Sequence, residues 1–367
     1  MKLLLDKGAS IQARNKYSNT SLHLAAWNGH TGIVKRLLKK RARTEAINRY
    51  NRTPLHVAVL KGHTGVVELL LGRGASIQAT DKHGNTPLHL AIQHGHTGVV
   101  ELLLDKGAPI QARAQDHYSP LHYAARNGHT GIVELLLRRG APVVDTEIRG
   151  NTPLHIATIG GHTGVVKLLL DKGASIQARN QHFDTSLHLA AKYGHTSLVE
   201  LFLGEGASIE AMNQFNNTPL HNAAWYGHTD VVKLLLRKGA LIEAMDEDNN
   251  TPLMKAAQNG HTDVVEVLLG EGTSIEAMDK TGSTVLHNAA LRGYTNIVEI
   301  LLGKGALIET MYQFNHTPLL EAASWGHADV VEILLREGAS IEVMDKTGST
   351  VLHYAAQCGY SRERCFN

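Results

Sequence analysis

The sequence predicts an all-α solenoid, in which short helix-turn-helix units stack on copies of themselves and short β-hairpin loops join them. Three observations carry this. The tetrapeptide Thr-Pro-Leu-His, or a near variant, recurs eleven times at a spacing of 33 residues, from Thr20 to Thr350, with no insertion or deletion. A fixed period of that length marks one supersecondary unit repeated along the chain. Behind each tetrapeptide run two apolar stripes with helical spacing, and glycines stand where the helices have to stop.

The unit from Thr86 to Arg113 shows the physics. The Thr86 hydroxyl can cap a helix, and Pro87 suits the first helical position, where no backbone N–H is needed. Leu88, Ala91 and Ile92 then share one face of a first helix, which Gly95 ends. Thr97 can cap a second helix. Val99, Val100, Leu103 and Leu104 form a stripe that faces the first. Gly107 closes that helix, and Ala108, Ile110 and Ala112 lead into an extended arm. Turn residues such as Asp81 to Asn85 fold the chain back to the next Thr-Pro. Each helix spans only about ten residues and is marginal alone, so it must be stabilised by its neighbours.

The string T-P-L-H-x-A, then G-H-T, then V-V-x-x-L-L, then G-A, resembles the ankyrin repeat. The resemblance covers nearly the whole chain. It predicts a partial repeat over residues 1–14, ten complete repeats over 15–344, and a partial repeat with an irregular tail over 345–367. Departures are few. Met254 and Leu320 replace the tetrapeptide His, Tyr294 and Tyr360 replace the His of G-H, and Arg41 stands at a helix end where glycine belongs. Arg41 is expected to strain that end by about 1 kcal/mol. Many family members carry a hydroxylatable Asn in the loop after G-A; Gln12, Gln78, Glu210 and Glu243 occupy that place here, so the modification is not expected.

The unbroken period overrides the two or three domains that 367 residues would ordinarily suggest, and predicts one elongated domain on the order of 100 Å long. No apolar run of eighteen residues and no secretory signal occurs, and both cysteines, Cys358 and Cys365, lie near the end. A monomer in a reducing compartment is expected, cytoplasmic, or nuclear if the run Lys39 to Arg43 directs import. The chain begins inside a second helix and leaves the pattern at Ser361, which reads as a piece of a longer array or a truncated product.

Catalysis and metal binding are not expected. Eighteen of the 23 histidines belong to the two repeat motifs, where the resemblance gives them structural hydrogen bonds. No His-Glu-x-x-His, no phosphate-binding glycine loop and no Gly-x-Ser-x-Gly occurs, and no cofactor is implied. Charge says more. Through Arg179 the chain has 24 Lys and Arg against 11 Asp and Glu, a balance of +13; from Asn180 it has 12 against 23, a balance of −11. The basic side is densest at Arg36, Lys39, Lys40, Arg43, Arg49 and Arg52. That patch suits an acidic partner of the N-terminal half, while nucleic acid, for which no motif is present, is not expected.

The predicted function is that of a non-catalytic scaffold that binds a protein partner. Two alternatives stand beside it: a sensor array for a small anionic ligand, and the regulatory or recognition segment of a larger signalling protein or enzyme. The resemblance puts partner-facing side chains at the hairpin tips and at the seventh and eighth residues after each Thr. Those positions hold Trp27, Tyr50, Phe183, Tyr193, Phe215, Trp225, Tyr226, Phe314 and Trp325. Core packing gives no reason for large rings at solvent-facing positions, and exposed aromatics are what binding hot spots use. The run Phe183, Tyr193, Phe215, Trp225 and Tyr226 is the densest and is expected to hold a partner's apolar anchor.

Overall fold

A computed structural model describes residues 2–359 of the chain, so Tyr360 and the irregular tail from Ser361 lie outside the described residues. The chain divides into two compact units, Met1–Gln181 and His182–Asn367. The boundary falls within two residues of the sign change in charge: the first unit carries +13 and the second −11.

In the first unit a short helix, Lys2–Asp6, precedes five helical hairpins, from Ser21–Trp27 with Thr31–Lys39 to Pro153–Ile159 with Thr163–Asp171. The second unit repeats the arrangement from Ser186–Lys192 with Thr196–Gly204 to Pro318–Ser324 with Ala328–Arg336, and then Val351–Gly359. The repeat fold is therefore the expected one, although the helices are shorter than expected: Pro219–Trp225 has 7 residues and Thr229–Arg237 has 9. The core is the predicted stripe. Leu220, Ala223 and Ala224 of one helix and Val231, Val232 and Leu235 of the other are buried. Phe202 is also fully buried, an aromatic in a stripe that elsewhere holds aliphatic side chains.

The tetrapeptide explains itself at Thr218. The Thr218 hydroxyl accepts from the His221 backbone N–H at 3.5 Å, and the Thr218 N–H donates to His221 Nδ1 at 3.2 Å. These reciprocal bonds form a capping box in which His supplies the returning side chain. With Nδ1 an acceptor, Nε2 carries the proton, and it donates to the Asn250 carbonyl of the next tip at 3.0 Å. The same lateral bond runs from His23 to Arg52 and from His188 to Asn217. One side chain thus starts a helix and ties two repeats. Where Met254 and Leu320 replace the His, the Thr hydroxyl still accepts the capping N–H, at 3.4 Å in both cases.

The second motif histidine binds in the opposite direction along the chain. His63 Nε2 meets the Trp27 carbonyl at 3.0 Å, and His261 Nε2 meets the Trp225 carbonyl at 2.8 Å. One expectation is corrected here. Thr97 does not cap the second helix: the cap is His96, with no side-chain cap bond, and Thr97 is already helical. The tight Gly95-His96 turn, closed by the His96 N–H to the Ala91 carbonyl at 3.0 Å, starts the helix one residue early. Arg41 adopts φ +62, the left-handed region expected to strain it.

The hairpin loops are five-residue turns. Asp246 Oδ1 accepts the N–H groups of Asp248 at 2.9 Å and Asn250 at 2.8 Å, and single backbone bonds link successive tips, as from Glu247 N–H to Phe215 C=O at 3.0 Å. One bond per tip is too little for a ladder. Among the described residues the only β pairing is an isolated bridge between Met344 and Thr350.

Candidate functional site

The tip aromatics Tyr17, Phe183, Phe215 and Phe314 are exposed, whereas Tyr118 and Tyr312 are part-buried against His122 and His287. Phe215, Trp225 and Tyr226 come together in the second unit as walls of one cleft of about 460 Å³, and they are 45%, 39% and 44% exposed. Its other lining residues include Lys192, Asn222, Asp246, Glu247, Asp248 and Lys255. Tyr193 stands outside that lining, stacked on His195 at 6.3 Å with the Lys192 ammonium 5.8 Å from its ring. Phe183 is more than half exposed, and its neighbours His182 and Asp184 line the cleft.

Phe183 has a second distinction. Its φ of +59 is left-handed, at a tip position where other repeats place Gly84, Asn249 or Gly282. Phe314, also strongly exposed, has φ +67. A ring side chain in that region costs about 1–2 kcal/mol per residue. At Phe183 the turn itself imposes the conformation, since Ser18, Asn51, His117 and Asn216 take it at the same place in their repeats.

The floor of the cleft was missed by sequence reasoning. Asn222 and Lys255, each the fourth residue after its Thr, line it, whereas the same offset holds core side chains at Val57, Leu90, Ile156 and Leu189. In the first unit these positions are Leu24, Val57, Leu90, Tyr123 and Ile156; in the second they are Leu189, Asn222, Lys255, Asn288, Glu321 and Tyr354. Lys255 is almost buried and meets Asp246 Oδ2 at 2.5 Å, with its ammonium 5.1 Å from the Trp225 ring. Burial pushes the Asp246 carboxyl up, but Lys255 and the amides of Asn250 and Asp248 outweigh it and hold the group below the usual carboxylate range. Glu321 is buried too, bonded by the Tyr312 hydroxyl and by His316 Nδ1 at 2.7 Å. The signal was present: Lys255 and Glu321 follow directly on Met254 and Leu320, the two repeats that lack the tetrapeptide His.

The first unit has its own aromatic cleft, of about 430 Å³, between Tyr17, Trp27 and Tyr50. Its rings are covered by cations. Arg49 lies 4.5 Å from Tyr17 and 4.6 Å from Tyr50, Lys82 lies 5.1 Å from Tyr50, and Lys61 lies 4.3 Å from Trp27. Tyr50 is consequently only half-exposed. The six basic residues do not form one patch. Arg36, Lys39, Lys40 and Arg43 are exposed on and just after the helix Thr31–Lys39, whereas Arg49 and Arg52 belong to a hairpin tip, where Arg52 pairs with Asp81 at 3.4 Å. Phe314 and Trp325 are exposed and line neither cleft; Lys346 covers Phe314 at 5.3 Å.

Comparison with protein families decides the identity of the fold. A profile described as "Ankyrin repeats (3 copies)" matches residues 1–81, 45–114, 111–180, 178–246, 241–312 and 286–364. The chain belongs to the ankyrin-repeat family. No curated protein matches it individually. Ankyrin repeats are protein-interaction modules and are typically non-catalytic. Among the described residues no group of three or more His, Cys, Asp or Glu is placed to hold a metal, and no helix is long and apolar enough to cross a membrane.

The loop position where ankyrin family members often carry Asn also acquires a role. Glu210 accepts the Leu241 N–H at 2.8 Å, Glu243 the Ser274 N–H at 2.6 Å, Glu276 the Leu307 N–H at 2.7 Å and Glu309 the Ser340 N–H at 2.6 Å. Each carboxylate reaches one repeat ahead, so part of the second unit's negative charge ties loops together.

Proposed function

We propose that the chain is a protein-binding scaffold and that a partner's apolar anchor enters the cleft of Phe215, Trp225 and Tyr226. The observation that carries this reading is the meeting of three large, half-exposed rings in one concavity, outside a core that is aliphatic but for Phe202. Phe183, exposed between the cleft residues His182 and Asp184, supports it. Trp225→Ala is expected to lower affinity for a purified partner by about 2 kcal/mol or more. Thermal unfolding should barely move, because Trp225 packs against Lys255 and solvent rather than the core. A fall in stability without a fall in affinity would make Trp225 a core residue and remove the reading.

The exposed strip Arg36, Lys39, Lys40 and Arg43 suits an acidic partner surface of the first unit, since among the described residues only Lys40 of these four pairs, with Asp6 at 3.5 Å. Replacing Arg36, Lys39 and Arg43 together by Glu should slow association with such a partner more than it speeds dissociation. Stopped-flow rates at low and high salt check this. An association rate indifferent to salt would leave the strip without a role in binding.

A further inference from the structure

We infer that the cleft of the second unit selects a basic partner segment: an extended stretch that sets an arginine or lysine beside its apolar anchor. This rests on the docking reading of the same cleft and adds its chemistry. Four carboxylates line the cleft, Asp184, Asp246, Glu247 and Asp248, against the cations Lys192 and Lys255. Asp246 is taken by Lys255 at 2.5 Å, in a pair that is nearly buried on both sides. Glu247 and Asp248 sit exposed at the mouth, and no cation pairs with either among the described residues.

The rings add a second attraction. Lys255 and Lys192 already lie 5.1 Å from the Trp225 ring and 5.3 Å from the Tyr226 ring, which is cation–π range, and both rings keep a substantial exposed surface. A guanidinium entering at the mouth would therefore meet an aromatic face and two unpaired carboxylates together. Beyond the cleft, the whole unit has a balance of −11, so the long-range field steers a cation inward. An acidic segment would meet the opposite field and displace no favourable pair. The equivalent rings of the first unit, Tyr17, Trp27 and Tyr50, lie beside Arg49, Lys61 and Lys82 in a unit whose balance is +13, so the field there opposes a basic segment and the basic-segment specificity belongs to the second unit.

The chain has three tryptophans, so three indole N–H signals report on binding when tryptophan is labelled with nitrogen-15, and Trp→Phe variants assign them. Two synthetic peptides serve as probes, each an extended Gly-Ser chain around one leucine, flanked by arginines in one and by glutamates in the other. The arginine peptide is expected to shift the Trp225 signal saturably and to bind at least about tenfold more tightly than the glutamate peptide, a margin that shrinks in high salt. Glu247→Lys with Asp248→Lys should reverse the order; Glu247→Gln with Asp248→Asn should abolish the preference. Both residues are exposed at a tip, and unchanged signals of Trp27 and Trp325 check that the fold is kept. If both peptides bind alike, or the glutamate peptide binds better, the charge selection is wrong while the docking reading survives. If neither peptide moves the Trp225 signal at millimolar concentration, both fall.

Discussion

Lowering the pH from 7 to 5 should destabilise this protein by several kcal/mol. The cause is the tetrapeptide histidines. Burial holds His56, His89 and His221 down to about 4, and lowers His23, His122 and His287 in the same direction. The hydrogen bonds agree with this, because Nδ1 accepts the Thr N–H and has no room for a proton. In the unfolded chain each ring returns to an ordinary value near 6.5. The unfolded state therefore binds more protons between about 6.5 and 4, and stability present above 6.5 is lost as the pH falls through that window. A shift of that size corresponds to about 3 kcal/mol per ring at full expression. Of the six rings named, His23, His56, His89 and His122 lie in the first unit and His221 and His287 in the second. Urea unfolding at a series of pH values, followed by helical circular dichroism, measures the slope. His89→Gln should reduce it by about 1.4 kcal/mol per pH unit, the value of one proton. A midpoint constant from pH 7 to 5 would mean that the rings protonate freely in the folded chain.

Gly227→Ala should cost about 2–3 kcal/mol, two to three times the effect of the same change at Gly239. Both glycines have left-handed φ, +75 and +88, so each substitution carries a backbone penalty of about 1 kcal/mol. At Gly239 an added Cβ meets nothing within 4 Å. At Gly227 it would stand 2.5 Å from His261 Nδ1. That ring would have to move, and its bond to the Trp225 carbonyl, 2.8 Å long, would break, adding about 1 kcal/mol or more. Chemical denaturation of the two variants separates the backbone term from the contact term. Equal losses would show that the His261 ring has space to shift.

Much of this fold can be read from the sequence because its determinants are local. Thr218, Pro219 and His221 start a helix within four residues of one another, and Val231, Val232 and Leu235 share a face by helical spacing alone. The position of the aromatics was legible for the same reason: Trp225 and Tyr226 sit at a fixed offset from Thr218, and that offset leaves them outside the core stripe. Thr97 misled because a hydroxyl residue before an apolar run reads as a cap, whereas the left-handed Gly95 turns the chain sooner and gives the cap to His96.

The period, the helices, the core stripe and the division of charge near Asn180 are all legible in the residues alone. Which exposed groups are already taken became visible once the repeats were stacked. Tyr50 and Trp27 are covered by cations, Arg52 is paired with Asp81, and Lys255 lies beneath Trp225 with Asp246, while Glu247 and Asp248 remain open at the mouth. The Glu243 carboxylate, read from sequence only as the loss of a modification site, accepts an N–H of the following repeat. The reason is distance. A helix cap or an apolar stripe joins residues within one or two turns, but Tyr50 and Lys82, or Glu243 and Ser274, are about one repeat apart in sequence and meet only when the repeats stack. Periodicity says that such neighbours will meet; the packed side chains decide which of them pair with each other and which are left for a partner.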